Sequence, residues 1–295
     1  MKKQLIIDTP DLQRMPRALW LTTLLVLSIT LVVSGQSTTN ALDRELKILR
    51  NLRYGDKPPV PYDSDTSSDR TLDLYLPLHT TKKKVPVFLY IHGGGFSGGD
   101  KSALSGLLRK LADRGFAVMS VNYRLYLKHH KTSGASARAN MSKGLRANGK
   151  FHPAMQEAVQ TATEDIIQVL SWIKEKSGEY PFDLKRVAIG GGSAGAMAAL
   201  HVAYASGQRI VPIRAVVNFW GGLQDASIIQ KPAPPLLTFH GEKDDLIHVD
   251  YAYALDRQMK KIGAVSETHI IKDKGHAIYK IIEAEYVDTI VNFLN

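Results

Sequence analysis

No cysteine occurs among the 295 residues, which excludes disulfides, zinc ribbons and thiol nucleophiles together. Metal-ligand spacing is missing as well. Neither H-E-x-x-H nor any Cys/His pattern is found, so no metal and no other cofactor is expected. Negative charge is in short supply, with 28 Asp and Glu against 38 Lys and Arg and a formal charge of +10. The basic residues are spread along the chain without an RNA- or DNA-binding signature, so the excess reads as a surface property and no nucleic-acid partner is expected. Internal repeats are lacking too. What is there is a chain with 44% hydrophobic and 22% charged residues, globular proportions that suit one large or two small domains.

The longest apolar run stands near the start. Lys2, Lys3, Arg14 and Arg17 precede the uncharged stretch Leu19 to Val33, and Val33-Ser34-Gly35 offers small residues for cleavage before Gln36. Residues 1–35 are therefore expected to be a signal peptide that exports the chain, secreted or periplasmic. Taken from Ala18 to Gly35, the same run could anchor an uncleaved chain in a membrane. Residues 36–68 are polar and irregular, with Pro58, Pro59 and Pro61 before an Asp/Ser-rich stretch, and read as an N-terminal extension, either a linker or an extension at a strand edge.

From residue 69 to 295, short β-type runs alternate with helix-length ones. Leu72 to Leu76, Val85 to Ile91, Ala117 to Asn122, Val187 to Gly190, Ala215 to Trp220, Pro235 to Phe239 and Thr268 to Ile271 read as strands. Leu104 to Arg114, Met155 to Glu175, Ala194 to Ala205, Tyr251 to Ile262 and Ile278 to Leu294 read as helices. Such alternation predicts the α/β class, a mainly parallel central sheet with helices on both faces. Tyr126 to Lys150 breaks the pattern. It carries Lys128, Lys131, Arg138, Lys143, Arg146 and Lys150 with no carboxylate, and is expected to be a basic insertion at the rim of the functional edge.

Two glycine-rich turns follow apolar strands. Gly191-x-Ser193-x-Gly195 sits where Arg186 to Gly190 runs into an Ala-rich helix. A strand-to-helix turn of this kind forces strained geometry on the serine and aims its hydroxyl at a helix N-terminus, where free N–H groups favour negative charge. The overlapping Gly190-x-Gly192-x-x-Gly195 also fits a dinucleotide fingerprint, yet Ala215 to Trp220 ends without the acidic residue that would hold a ribose. Far upstream, Val85 to Ile91 delivers His92-Gly93-Gly94-Gly95. Successive glycines let bare N–H groups approach a ligand oxygen, as a tetrahedral oxyanion requires.

An acid and a base come later. His240-Gly241-Glu242-Lys243-Asp244-Asp245 follows one apolar run and Gly275-His276 follows another. The order Ser193, acid, His276 is that of a serine nucleophile with an orienting carboxylate and a general base. Asp244 is the preferred acid, with Asp245 as the alternative. The remaining histidines take bland readings: His240 shapes its turn, His201 rides a helix, and His269 alternates in a strand.

Together His92-Gly93-Gly94-Gly95, Gly191-Gly192-Ser193-Ala194-Gly195-Ala196, His240-Gly241-x-x-Asp244 and Gly275-His276 resemble the secreted carboxylesterase and feruloyl-esterase branch of the α/β-hydrolases, over roughly Arg70 to Asn295. The resemblance implies an α/β-hydrolase fold and hydrolysis of a small-molecule or polysaccharide-linked carboxylic ester through an acyl-enzyme. It makes Ser193, Asp244 and His276 the triad and the N–H groups of Gly94, Gly95 and Ala194 the oxyanion hole. It also implies a supporting role for Asn122-Tyr123-Arg124-Leu125. Phe96 stands where members often carry Trp, and Ile247-His248 where they carry Val-Pro, so the pocket rim departs from the pattern. A serine peptidase or amidase on the same fold is the alternative activity, and a noncatalytic binding protein the alternative class.

Overall fold

The computed structural model describes residues 46–78, 83–147 and 149–295. The expected leader, with its Leu19 to Val33 run, lies outside the described residues. Among the described residues no helix is long and apolar enough to cross a membrane.

One sheet organises the described chain. Its strands are β1 (Leu46–Arg53), β2 (Thr71–Pro77), β3 (Val85–Ile91), β4 (Ala117–Val121), β5 (Phe182–Gly192), β6 (Ile213–Phe219), β7 (Leu236–Gly241) and β8 (Ser266–Ile271), ordered β1-β2-β4-β3-β5-β6-β7-β8. β2 runs antiparallel to both β1 and β4, and every pairing from β4 to β8 is parallel. The helices are α1 (Ser105–Asp113), α2 (Tyr126–His129), α3 (Ala137–Met141), α4 (Pro153–Lys176), α5 (Ala194–Tyr204), α6 (Asp250–Lys261), α7 (Tyr279–Glu285) and α8 (Val287–Leu294).

Strand periodicity sorts the core into two layers. Val87, Leu89 and Ile91 of β3 face the cluster built with α4, α5 and α6, while Phe88 and Tyr90 face the cluster built with α1, α7 and α8. Both faces of the central strands are thus dry, which is why they read as continuous apolar runs instead of alternating ones. α4 begins where it does because Pro153 occupies its first turn and His152 Nδ1 accepts the Ala154 N–H at 3.2 Å.

The sheet order creates the functional edge. β3 leads through α1 to β4 on one side, and the chain then returns through α4 to β5 on the other side of β3. At such a reversal the loops leaving adjacent strands part, and a crevice opens beyond their carboxyl ends. The two loops that part here are His92 to Gly95 and the turn at Ser193.

Two expectations need correction. Residues 46–53 of the supposed irregular extension form β1, an edge strand whose register is set by its partner. Asp73 of β2 accepts from Arg50 Nη1 at 2.8 Å and from the Asn51 N–H at 2.9 Å. With Leu-Lys-Ile-Leu-Arg-Asn-Leu-Arg half-exposed, its own alternation is too weak to announce a strand. The stretch Ile278 to Leu294 is two helices, because Tyr286 (φ −118°) leaves helical geometry between α7 and α8.

Candidate active site

Ser193 occupies the sharpest turn of the site. It follows the last residue of β5 and caps α5 at φ 54° and ψ −119°, a conformation that costs a non-glycine residue on the order of 1–3 kcal/mol. The surroundings hold it there. Its N–H donates to the Phe219 carbonyl at 2.9 Å, continuing the ladder to β6, and its own carbonyl accepts the Met197 N–H at 3.0 Å. Gly195 is required by approach: a Cβ there would collide with the carbonyl of Ile91 and lie 2.5 Å from that of His92. Gly195 thereby lets α5 pack against the end of β3, whereas a Cβ on Gly190 would lie 2.8 Å from the Val217 carbonyl and one on Gly192 would collide with the Tyr279 hydroxyl, so close packing is reason enough for the spacing that also fits a dinucleotide fingerprint.

His276 links the serine to a carboxylate. Its Nε2 lies 2.9 Å from Ser193 Oγ and its Nδ1 lies 2.7 Å from Asp244 Oδ2. An ionised carboxylate only accepts, so Nδ1 carries the proton and Nε2 is left as the acceptor for the serine hydroxyl. Asp244 is buried and fully engaged: Oδ1 accepts the N–H groups of Leu246 and Ile247, each at 2.9 Å, and Oδ2 also lies 3.3 Å from His240 Nε2. Burial alone would raise its pKa, but hydrogen bonds from His240 and His276 and the Ile247 N–H outweigh it and hold the carboxyl well below the usual range. Asp245 points the other way, 73% exposed and 3.0 Å from Arg138 Nη1.

The glycine loop lies against the serine. A Cβ on Gly93 would sit 3.3 Å from Ser193 Cβ and 2.8 Å from the Gly192 carbonyl, so only a bare backbone fits there. Gly94 and Gly95 follow with φ of 117° and 63°. The Gly94 carbonyl is turned back to accept the Ser97 and Gly98 N–H groups at 3.1 Å. Ala194 opens α5, where first-turn N–H groups lack helical partners. Behind the loop, Tyr123 donates its hydroxyl to the His92 carbonyl at 2.9 Å and stacks on the His92 ring. Arg124 contacts the wholly buried Asp165 through its backbone N–H at 2.8 Å and its Nε at 3.0 Å.

Sequence reasoning missed three residues that shape this site. His240 reads in sequence as a turn residue, yet its Nε2 faces both Asp244 Oδ2 and the Ile247 carbonyl, the latter at 2.8 Å. The spacing of four residues between His240 and Asp244 is its one visible signal. Trp220 (φ 45°) sets its ring edge-on to His276 with centroids 6.4 Å apart, and edge-on to Tyr279 at 4.4 Å. Tyr279 in turn brings its hydroxyl against Gly192. No local pattern marks these two, because their neighbours come from segments distant in sequence.

The basic insertion is folded against the domain and not free of it. Met141 is wholly buried, and its carbonyl accepts the His248 N–H at 3.0 Å. Lys128 Nζ and His129 Nε2 each lie 2.8 Å from an oxygen of Asp65, while Arg138 meets Asp245. Part of the charge that sequence left unbalanced is therefore balanced across the fold.

Comparisons with known proteins agree with this architecture. A family described as the alpha/beta hydrolase fold matches residues 150–233, and a family described as BD-FAE matches residues 72–140. Esterase LipC of Mycobacterium tuberculosis (strain ATCC 25618 / H37Rv) is 25% identical over 259 residues, 75% of this chain and 59% of that protein. Fumonisin B1 esterase of Sphingopyxis macrogoltabida is 28% identical over 131 residues, 43% of this chain and 21% of that protein. The chain thus spans less than two thirds of the length of either relative. Among solved structures, a truncated carbohydrate esterase from gut microbiota superimposes with a TM-score of 0.62 at 17% identity, covering 84% of this chain and 95% of that one. The sheet order, the loops that part at β3 and β5, and these likenesses make the chain an α/β-hydrolase-fold protein, with proteins named as esterases among those it is similar to.

Proposed function

We propose that this chain is a serine esterase that hydrolyses carboxylic esters through an acyl-enzyme. The observation that carries the reading is the unbroken relay from Ser193 Oγ to His276 Nε2 at 2.9 Å and from His276 Nδ1 to Asp244 at 2.7 Å. In this mechanism Ser193 Oγ attacks the ester carbonyl carbon as its proton passes to His276 Nε2. Asp244 stabilises the imidazolium that forms. The carbonyl oxygen, now negative, is met by the N–H groups of Gly94, Gly95 and Ala194, a reading supported by the closeness of Gly93 to Ser193 and by the position of Ala194 at a helix start. Collapse breaks the carbon–oxygen bond, and the leaving alkoxide takes the proton from His276. Water then repeats the sequence on the acyl-serine, with His276 as base, and releases the acid.

A direct assay separates this from a peptidase or amidase reading. With p-nitrophenyl butyrate and an aminoacyl p-nitroanilide offered in parallel, the ester should be turned over with the far higher kcat/KM. Preferential cleavage of the anilide would make the chain an amidase. Turnover of neither would leave a hydrolase-like binding protein.

His240 enters this reading as a positioning residue that acts through Asp244. A hydrogen bond to a charged group is worth about tenfold in an equilibrium, so His240→Phe should lower kcat by about that factor while leaving KM unchanged. His240→Gln, which keeps a donor on the same side chain, should recover part of the loss. A merely structural role would instead lower the thermal midpoint of both variants without this split, as circular dichroism on the same samples would record.

A further inference from the structure

A cavity of about 130 Å³ lies along α5, starting at Met197 four residues beyond Ser193, and is used by none of the steps above. Phe151, Val159, Met197, Leu223 and Ile228 give it apolar walls, and His201 stands among them. Its position follows from the elbow. Met197 and His201 are four and eight residues beyond Ser193 on the same helix, so with a rise of about 1.5 Å per residue the wall runs from about 6 to about 12 Å along the axis from the nucleophile, close to one face. The facing wall leaves from the same place. Gly221 passes so near the elbow that a Cβ on it would sit 3.1 Å from the Ser193 carbonyl oxygen and 2.5 Å from Ala196 Cβ. From there the chain continues directly to Leu223 and Ile228. The cavity therefore opens on the strand ends where the ester would be held.

Its polar lining is His201 together with Gln156, Gln224 and Asp225. Thr163 donates its hydroxyl to the Val159 carbonyl at 2.8 Å, the usual back-bond of a helical threonine, so toward His201 Nδ1 at 3.1 Å that oxygen accepts. His201 Nδ1 then carries the proton and Nε2 is a bare acceptor. Burial pushes the His201 pKa down, which keeps the ring neutral. Around it, Gln156 Nε2 donates to the Phe151 carbonyl at 2.7 Å, Gln224 Oε1 accepts the Phe151 N–H at 2.8 Å, and Asp225 Oδ1 accepts the Ser227 N–H at 2.8 Å. Among the described residues no partner is recorded for His201 Nε2.

We propose that this cavity is a subsite for one arm of the ester substrate, and that the arm is a neutral apolar group of about six non-hydrogen atoms ending in a hydroxyl that donates to His201 Nε2. The size comes from comparison with an apolar protein cavity of roughly 150 Å³ that holds benzene. The donor requirement comes from the tautomer. The proposal rests on the esterase reading and specifies its substrate class; the hydroxyl arm could belong to the acid or to the alcohol, and the test treats the two separately.

Hydrolysis followed in a pH-stat compares ethyl 6-hydroxyhexanoate with ethyl hexanoate for the acyl arm, and 5-hydroxypentyl acetate with pentyl acetate for the alcohol arm. In one of the pairs the hydroxylated ester should have a kcat/KM about fivefold higher, the worth of one net hydrogen bond. In His201→Phe that ratio should fall to one, and Leu223→Trp, which fills the cavity, should lose the longer esters relative to ethyl acetate. Independently of turnover, saturation-transfer NMR with free 1-pentanol should give a signal with the native chain that Leu223→Trp abolishes. Ester hydrolysis with equal rates in both pairs overturns the subsite and leaves the esterase standing. A 1-pentanol signal without hydrolysis of any ester keeps the cavity as a hydroxyl-compound site and overturns the esterase reading. No signal and no preference overturns the proposal outright.

Discussion

Ser193→Ala is expected to reduce ester turnover by on the order of a million-fold, the usual consequence of removing the nucleophile from a serine, histidine and carboxylate acting as a unit. The size of the effect has a structural reason. Alanine keeps the backbone of the elbow, so the strained φ of 54°, the N–H bond to Phe219 and the start of α5 all persist. Only the oxygen 2.9 Å from His276 Nε2 is lost. Whatever rate remains would come from substrate binding and oxyanion contacts acting on water. Single-turnover kinetics with p-nitrophenyl butyrate, beside the far-UV and near-UV dichroism of both proteins, would check it. A folded Ser193→Ala protein with the native rate would remove Ser193 from the chemistry.

Asp244→Asn should slow the reaction by roughly ten-thousand-fold, as a mis-set imidazole does, and Asp245→Asn should leave it within about twofold, as exposed substitutions away from the chemistry usually do. In the Asp244→Asn protein the side-chain carbonyl oxygen could still accept the Leu246 and Ile247 N–H groups. The new amide nitrogen would then stand where Oδ2 now accepts from His276. A donor opposite Nδ1 forces the proton to Nε2, and the ring can no longer take one from Ser193. Asp245 has no such leverage, since it is exposed and faces Arg138. Parallel kcat measurements on the two variants decide between them, and a large loss in Asp245→Asn with little in Asp244→Asn would exchange their roles.

The same pair illustrates the boundary between what was legible in the chain and what was not. The fold class could be read because the alternation of apolar runs with helical ones is local, and β3, β5, β6 and β7 are buried on both faces. β1 escaped because an edge strand borrows its order from a neighbour, here through Asp73. The turn at Ser193 and the glycine loop after β3 were visible because each is a continuous stretch whose backbone geometry demands small residues.

The choice between Asp244 and Asp245 was different in kind. Adjacent residues of one type carry no pattern that says which way each side chain turns, and the answer depends on where the loop after β8 brings His276. The same holds for the positions of His240, Trp220 and Tyr279, each defined by partners distant in sequence. Charge on the basic insertion followed this rule as well, since Asp65 and Asp245 meet Lys128, His129 and Arg138 only after folding. By itself the sequence determined the layered α/β architecture, the two glycine turns and the residue types available for chemistry, because hydrophobic periodicity and backbone sterics act over a few neighbouring residues. Only the tertiary structure decided which carboxylate faces His276 and which second histidine faces that carboxylate, because hydrogen bonds reach about 3 Å and depend on elements that meet only once the sheet has assembled.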